Sequence, residues 1–221
     1  MRSRLAIYKL ILGIVLLACA PGITTAQSTL VTGFATPVFE PFDFTDGAIY
    51  DIEEDWKGFI WLATDDGLFQ FDGTVLRQYA HSGQDTSLPH NQVFDIFIDT
   101  EREELWLGTG MGVCRLNPTT GEVKKYQASY DDPNSLADNI VRKIFRDEDG
   151  QIWIGCYNHG LSLYRGETDD FLNFSYEIPA LDSLQPYYPR LNESWLNSFK
   201  AIAQDKTDPY VLWLGTPLGL V

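Results

Sequence analysis

A short sequence pattern occurs four times in this chain of 221 residues. One tryptophan anchors each copy, at Trp61, Trp106, Trp153 and Trp213. These anchors follow one another at intervals of 45, 47 and 60 residues. A recurring interval near 45 residues is typical of proteins built from repeated supersecondary units. The repeat therefore constrains the fold more strongly than the composition does.

Each copy predicts four short antiparallel strands. In the third copy, three segments with strand-like sequences, 141–147, 151–155 and 161–164, alternate with turns that contain Gly150 and Gly160. The second copy shows a fourth strand at 123–126, after a turn with Pro118 and Gly121. Four antiparallel strands per 45 residues form the blade of a β-propeller. We therefore predict an all-β propeller with about four four-stranded blades, the last of them incomplete.

The repeated residues resemble the two-component regulator propeller family. Its pattern is V-x-x-I-x-x-D-x-x-G-x-[IL]-W-[IL]-G-T-x-x-G-[LV], preceded by a Ser-Leu-x-x-Asn stretch that occurs here at 87–91 and 135–139. The resemblance covers about residues 42–221. The chain departs from the pattern at Ala63 (usually Gly), at Cys156 (usually Thr) and in the second hairpin, 101–104, which lacks the glycine.

This resemblance implies a function in signalling. It implies an extracytoplasmic, ligand-sensing input module of a two-component sensor that is itself non-catalytic, with a small molecule or oligosaccharide as ligand. It also implies a longer parent with further blades, a membrane span and a histidine kinase, and by analogy a homodimer. No cofactor is expected. The alternatives are a secreted or lipid-anchored binding module and, less favoured, a glycosidase or lyase, which would need suitably paired carboxylates.

The first 26 residues have the composition of a signal peptide. Arg2, Arg4 and Lys9 precede an apolar run at 10–19, which is shorter than a membrane span. We predict cleavage after Ala26, with lipid attachment at Cys19 and an uncleaved anchor as the alternatives. Each of these exports the remaining chain, so we expect a periplasmic or extracellular location and a parent in the inner membrane.

The exported part is strongly acidic. Segment 1–26 holds three of the 16 basic residues and none of the 31 acidic ones, so residues 27–221 carry 13 basic and 31 acidic side chains. Such a surface repels phosphate backbones, which argues against nucleic-acid binding. The charge is compatible with neutral ligands such as sugars and with cations.

The pattern divides the exported part into segments. Residues 27–48 form an N-terminal segment in which 37–44 could supply an outer closing strand. The predicted blades cover about 49–80, 93–127, 141–176 and 199–221, with an aromatic insertion at 175–198. Because the third strand of the fourth copy has barely begun at Val221 and the fourth strand is missing, we expect the chain to be the N-terminal piece of a longer protein.

Most repeated residues have a structural explanation. The tryptophans are expected to pack between blades, the glycines to form turns, and Asp55, Asp99, Asp147 and Asp205 to cap hairpins. Cys114 and Cys156 are expected to be buried thiols rather than a disulfide. The sequence offers no catalytic or metal-binding set.

Candidate ligand-binding residues lie in the loops between the repeated strands. Loops after the second strand and before the first strand emerge at the same end of a propeller, and binding residues concentrate on such loops. The candidates are Asp65, Asp66, His90, Asn91, Asp138, Asn139, Tyr157, Asn158 and His159. The insertion adds Tyr187, Tyr188 and Trp195, although this loop could instead fold its aromatic side chains onto the blade. Each polar candidate could also be a solvated turn residue.

Overall fold

The computed structural model describes residues 47–175, 198–217 and 219–220. In these ranges the chain forms fifteen strands and no helix. The first eight strands are β1 Ile49–Glu54, β2 Ile60–Thr64, β3 Gly67–Phe71, β4 Leu76–Tyr79, β5 Val93–Asp99, β6 Glu104–Thr109, β7 Gly112–Leu116 and β8 Val123–Tyr126. The others are β9 Val141–Arg146, β10 Ile152–Cys156, β11 Leu161–Arg165, β12 Asp170–Phe174, β13 Ala201–Gln204, β14 Leu212–Thr216 and β15 Gly219–Leu220. No helix able to cross a membrane occurs in this part of the chain.

The strands form four antiparallel sheets, each with its strands in chain order. Three sheets have four strands, β1–β4, β5–β8 and β9–β12, and the fourth consists of β13–β15 within the described ranges. The predicted all-β fold of four blades with an incomplete last blade is confirmed. The signal peptide with Cys19 and Ala26, the segment 37–44 and the insertion residues Tyr187, Tyr188 and Trp195 lie outside the described residues.

The first strands of neighbouring blades lie side by side and are joined through side chains. Asp51 Oδ2 in β1 accepts a hydrogen bond from the Ile96 amide in β5 at 2.9 Å. Asp95 Oδ2, at the equivalent position of β5, accepts one from the Ile144 amide in β9 at 2.7 Å. Lys143 Nζ also donates to Asp95 Oδ1 at 2.6 Å. Burial raises the pKa of Asp95, and the Lys143 ammonium opposes that rise.

The hydrophobic core lies between blades. One buried cluster joins Trp61 of the first blade to Leu107 of the second. The next joins Trp106 of the second blade to Ile154 of the third. Trp61 and Trp106 are 0% and 1% exposed, whereas Trp213 of the fourth blade is 40% exposed. The equivalent tryptophans of the first two blades are therefore covered by the blade that follows.

The repeated aspartate joins the first hairpin of a blade to its tryptophan. Asp55 Oδ1 accepts hydrogen bonds from the backbone amides of Lys57 and Phe59, at 2.8 and 3.1 Å. Its other carboxylate oxygen accepts one from Trp61 Nε1 at 2.8 Å. The pairs Asp147–Trp153 and Asp205–Trp213 make the same 2.8 Å bond. The carboxylate thus satisfies donors of the turn and of the buried indole together.

A threonine and a glycine close the turn between the second and third strands. Thr109 Oγ1 donates to the Gly112 carbonyl at 2.8 Å, and Thr64 makes the same contact with Gly67. Gly112 has a φ of 104°, and a Cβ there would lie 2.2 Å from the Tyr126 carbonyl oxygen. In the third blade, Cys156 replaces the threonine.

The two cysteines of the described region are free thiols. Cys114 and Cys156 are both buried and form no disulfide. Burial raises the pKa of each thiol to about 12. Both are therefore held in the neutral form, which is unreactive compared with a thiolate.

Candidate ligand-binding site

A bulge opens the first strand of the first three blades. The register of strand pairing skips Tyr50 in β1, Phe94 in β5 and Arg142 in β9. Lys200 directly precedes β13, at the same place in the repeat, and its amide donates to the Gly215 carbonyl at 3.1 Å. A bulge leaves one residue out of the ladder and redirects its side chain. The repeat therefore presents one variable side chain from each blade at the same end of the sheets.

These side chains line a shared pocket. Tyr50, Phe94, Arg142 and Lys200 surround a volume of about 320 Å³ together with Tyr157, from the turn between β10 and β11. The lining thus combines three aromatic rings with two cations. Aromatic rings and a few polar groups that converge on a concave surface are typical of small-molecule sites.

Arg142 is held between two aromatic rings. Its guanidinium carbon lies 3.8 Å from the ring centre of Phe94 and 5.1 Å from that of Tyr157. Tyr50 packs edge-on against Phe94, with ring centres 5.1 Å apart. The Arg142 Nε donor is buried and has no acceptor among the described residues. Cation–π contact with these two rings stabilises the guanidinium in this position.

Asp65 is not part of the pocket lining but accepts a hydrogen bond from Tyr50, which is. The Tyr50 hydroxyl donates to Asp65 Oδ1 at 2.7 Å, and Gln92 Nε2 donates to the same oxygen at 3.2 Å. This hydrogen bond raises the pKa of Tyr50 and lowers that of Asp65. Asp65, a candidate from the sequence, therefore contacts a residue that lines the pocket.

A second group of sequence candidates comes together beside Tyr157. The Asn158 amide donates to Asp138 Oδ2 at 3.0 Å, and His159 Nδ1 lies 3.4 Å from the same oxygen. The Ile140 amide donates to Asp138 Oδ1 at 3.2 Å. Asp138 thus connects the loop before β9 to the turn after β10. The exposed His159 imidazole is available at this end of the blade.

The asparagines of the two Ser-Leu-x-x-Asn stretches accept hydrogen bonds from backbone amides in the loops that connect blades. Asn91 Oδ1 accepts a hydrogen bond from the His81 amide at 2.7 Å. Asn139 Oδ1 accepts one from the Ala128 amide at 2.8 Å. In the Ser-Leu-x-x-Asn stretch, the asparagine therefore fixes the path of the connection.

The remaining two candidates contact the local backbone. His90 Nδ1 accepts a hydrogen bond from the Gln92 amide at 3.0 Å. The Asp66 amide donates to Thr64 Oγ1 at 3.0 Å, and its carbonyl accepts from Gln78 Nε2 at 2.8 Å. Neither residue is part of the pocket lining.

Sequence reasoning missed four of the five lining residues: Tyr50, Phe94, Arg142 and Lys200. The signal was the first variable position of V-x-x-I, where the four copies carry four different large side chains. Regular strand alternation does not predict where the side chain of a bulged residue points. The described ranges contain no group of three or more His, Cys, Asp or Glu side chains that could hold a metal ion.

Comparison with protein families finds the repeat. Residues 135–158 match the family model described as two component regulator propeller. This match includes the second Ser-Leu-x-x-Asn stretch and the strands β9 and β10. A search of curated proteins gives no match.

Solved structures share the fold. One is described as the extracellular domain of a hybrid two component system from B. thetaiotaomicron, at 24% identity and a TM-score of 0.62, over 76% of this chain and 22% of that chain. A second is PorZ, described as a surface component of the type-IX secretion system of Porphyromonas gingivalis. It has 18% identity and a TM-score of 0.52, over 83% of this chain and 25% of that chain. A third is an inactive virginiamycin B lyase from Staphylococcus aureus with quinupristin, which has 15% identity and a TM-score of 0.52, over 78% of this chain and 50% of that chain.

The similarity to these solved structures is one of fold. At sequence identities below 25% they share the arrangement of blades with this chain, whereas function depends on the residues of the site. The chain spans about a fifth of the length of the hybrid two component domain. The family match confirms the resemblance found in the sequence: the chain contains a two component regulator propeller repeat, at residues 135–158, within a fold of β-propeller blades.

Proposed function

We propose that the chain is the extracytoplasmic, ligand-sensing input module of a two-component sensor and is not itself catalytic. Its ligand is an oligosaccharide that binds in the pocket at the start of the first strands. The observation that carries the proposal is the convergence of one bulged or equivalent residue from each blade, with Tyr157, on one volume. Sugar rings stack on aromatic side chains, and the pocket contains three of them, Tyr50, Phe94 and Tyr157.

Two further observations support a sensor. The solved domain from B. thetaiotaomicron is described as the extracellular part of a hybrid two component system and is similar to this chain in fold. A pocket that several blades build together also suits signalling, because a ligand there contacts more than one sheet. Binding that favours one arrangement of the blades would shift their relative packing.

Further blades of a longer parent are part of the proposal. Trp213 is 40% exposed on the fourth blade, although its counterparts Trp61 and Trp106 are covered by the next blade. An aromatic at this repeated position buries well only against a neighbouring sheet. We infer that another blade covers Trp213 in the parent protein.

Ligand binding can be tested by calorimetry with a panel of oligosaccharides. Tyr157→Ala removes one ring from the pocket and should weaken binding about five- to thirtyfold, since one stacked aromatic contributes on the order of 1–2 kcal/mol. Tyr210→Ala is the matched control, because Tyr210 is 90% exposed and belongs to the hairpin between β13 and β14, at the other end. Equal losses from both variants would contradict the proposed site.

The sensor can be distinguished from a secreted or lipid-anchored binding module by reading the gene beyond the codon for Val221. A membrane span followed by kinase motifs would support the sensor. A stop codon at that point would instead favour the binding module, with the same pocket serving for capture.

A further inference from the structure

Two cations face the pocket of a strongly acidic protein. The chain has 16 lysines and arginines against 31 acidic residues, yet both charged residues that line this pocket, Arg142 and Lys200, are basic. They come from equivalent positions in neighbouring blades. The local charge is therefore opposite to that of the whole protein, and a low-dielectric wall of aromatic rings strengthens its effect.

Arg142 differs from the arginines that stabilise the blades. Four other arginines of the described region each pair with a carboxylate at 2.7–2.9 Å: Arg102, Arg115, Arg146 and Arg165. No carboxylate of the described residues lies within ion-pair distance of Arg142. Its guanidinium instead stacks on Phe94 and Tyr157. Among the described residues, this cation therefore contacts aromatic rings and has no counter-ion.

The carboxylates that hold Tyr50 and the Tyr157 turn already accept hydrogen bonds from other groups. Asp65 accepts hydrogen bonds from Tyr50 and Gln92. Asp138 accepts them from the amides of Ile140 and Asn158. Neither carboxylate is within reach of the guanidinium, so an incoming anion would not have to displace an existing ion pair.

We propose that the ligand is an acidic saccharide, with a carboxylate or sulfate group next to a sugar ring. The planar guanidinium of Arg142 binds two oxygens of the anion, and the flexible ammonium of Lys200 adds a point charge. Tyr50 and Tyr157 contact the face of the ring. This inference rests on the proposed function and specifies the chemical class of its ligand.

The test is calorimetry with matched pairs of oligosaccharides. Each pair consists of a uronate-containing or sulfated oligosaccharide and its neutral form, methyl-esterified or desulfated. The acidic member should bind at least about tenfold more tightly, as expected for hydrogen bonds to a charged group. Its affinity should fall as NaCl is raised, because the ion pairs at the mouth of the pocket are screened.

Variants assign the preference to these cations. Arg142→Gln and Lys200→Gln should each reduce the advantage of the acidic member, while Arg77→Gln, an equal charge change on exposed β4, should leave it unchanged. Thermal unfolding of each variant checks that the fold is retained. Lys200→Gln removes an exposed side chain and so tests the inference even if Arg142→Gln unfolds the chain.

The outcomes separate the inference from the proposed function. Neutral members that bind as well as acidic ones, with affinity that depends on Tyr157, would overturn the inference and leave the proposed site intact. If no oligosaccharide of either kind binds, both are overturned. Preference for the acidic members that survives Arg142→Gln and Lys200→Gln would place the anion elsewhere and also overturn the inference.

Discussion

Asp99 and Trp106 are not bonded to each other, although the equivalent pair is bonded in the other three blades. Asp99 accepts hydrogen bonds from Arg102, at 2.9 Å to its guanidinium, and from the Glu101 amide. Trp106 Nε1 is buried without an acceptor among the described residues. The second hairpin lacks the usual glycine, and Glu103 takes a φ of 54° there instead. The altered turn brings an arginine to the aspartate in place of the indole.

Because of this difference, replacing the repeated tryptophan with phenylalanine should destabilise the fold by different amounts in the first and second blades. Trp61→Phe removes the donor to Asp55 and leaves a buried carboxylate oxygen without its partner. Trp106→Phe removes a donor that has no acceptor among the described residues. We expect Trp61→Phe to lower the free energy of unfolding by about 1–3 kcal/mol more than Trp106→Phe, measured by urea denaturation. Equal losses, or a larger loss for Trp106→Phe, would contradict the account of this hydrogen bond.

At the scale of the elements, hydrogen bonds and an ion pair of one aspartate join the second and third blades. The third-blade residue Asp169 accepts hydrogen bonds from Tyr126 of the second blade and Tyr164 of its own, each at 2.7 Å, and pairs with Lys124. Partial burial raises the pKa of Asp169, but these donors outweigh that effect and lower it to about 2. The contribution of Asp169 to this junction therefore depends on its carboxylate being ionised.

The junction predicts a pH dependence. Because the pKa of Asp169 is lower in the folded chain than the ordinary 3.8, its stabilisation is present above about pH 4 and lost as the pH falls towards 2. Asp169→Asn should remove on the order of 1 kcal/mol at pH 6 and little at pH 2, a modest value because the side chain is 36% exposed and screened by solvent. Asn also tolerates the φ of 60° at this position.

Chemical denaturation at several pH values measures this effect. Asp85→Asn is the control, because it removes an exposed acid in a connecting loop without touching the junction. A cost of Asp169→Asn that stays the same from pH 6 to pH 2 would show that ionisation of Asp169 does not stabilise the junction.

The cost of replacing a turn glycine with alanine should depend on the room available for a Cβ atom. Gly112 and Gly121 both have positive φ, but a Cβ would meet the Tyr126 carbonyl oxygen at 2.2 Å at the first and nothing within 4 Å at the second. Gly112→Ala should cost at least about 3 kcal/mol, and Gly121→Ala about 1–2 kcal/mol for its backbone conformation alone. Thermal unfolding compares them, and similar melting temperatures would contradict the packing of this turn.

At the scale of the whole molecule, the buried core is not evenly shared among the blades. The clusters between the first and second blades and between the second and third each include ten buried residues of the described region. The cluster at the fourth blade includes three, Leu161, Phe199 and Ile202. Local stability follows buried apolar contact, so the blades should not resist opening equally.

Native-state hydrogen exchange should reveal this gradient. Amides of β13 and β14 should exchange faster than those of β6, whose side chains are almost all buried. The exchange rates can be compared by mass spectrometry of peptides from the two regions. Protection of β14 equal to that of β6 would mean that the fourth blade is covered by contacts other than those described.

The repeated strands and turns could be predicted from the sequence. The features that depend on contacts in the folded structure could not. Strand alternation and turn residues sufficed for the blades, because both are local properties. The pocket depended on bulges at Tyr50, Phe94 and Arg142, which shift register without a distinctive residue type. Likewise, the loss of the Asp99–Trp106 bond arises from a competing arginine in the turn. Such competition depends on three-dimensional placement and has no periodic signal.

A crystal structure of the chain with a bound acidic oligosaccharide would show whether ligand binds at the start of the first strands. We expect electron density for a sugar ring beside Tyr157 and for its anionic group against Arg142 and Lys200. Density at the opposite end of the sheets, for example beside Lys57 and Asp72, with the pocket empty, would contradict it.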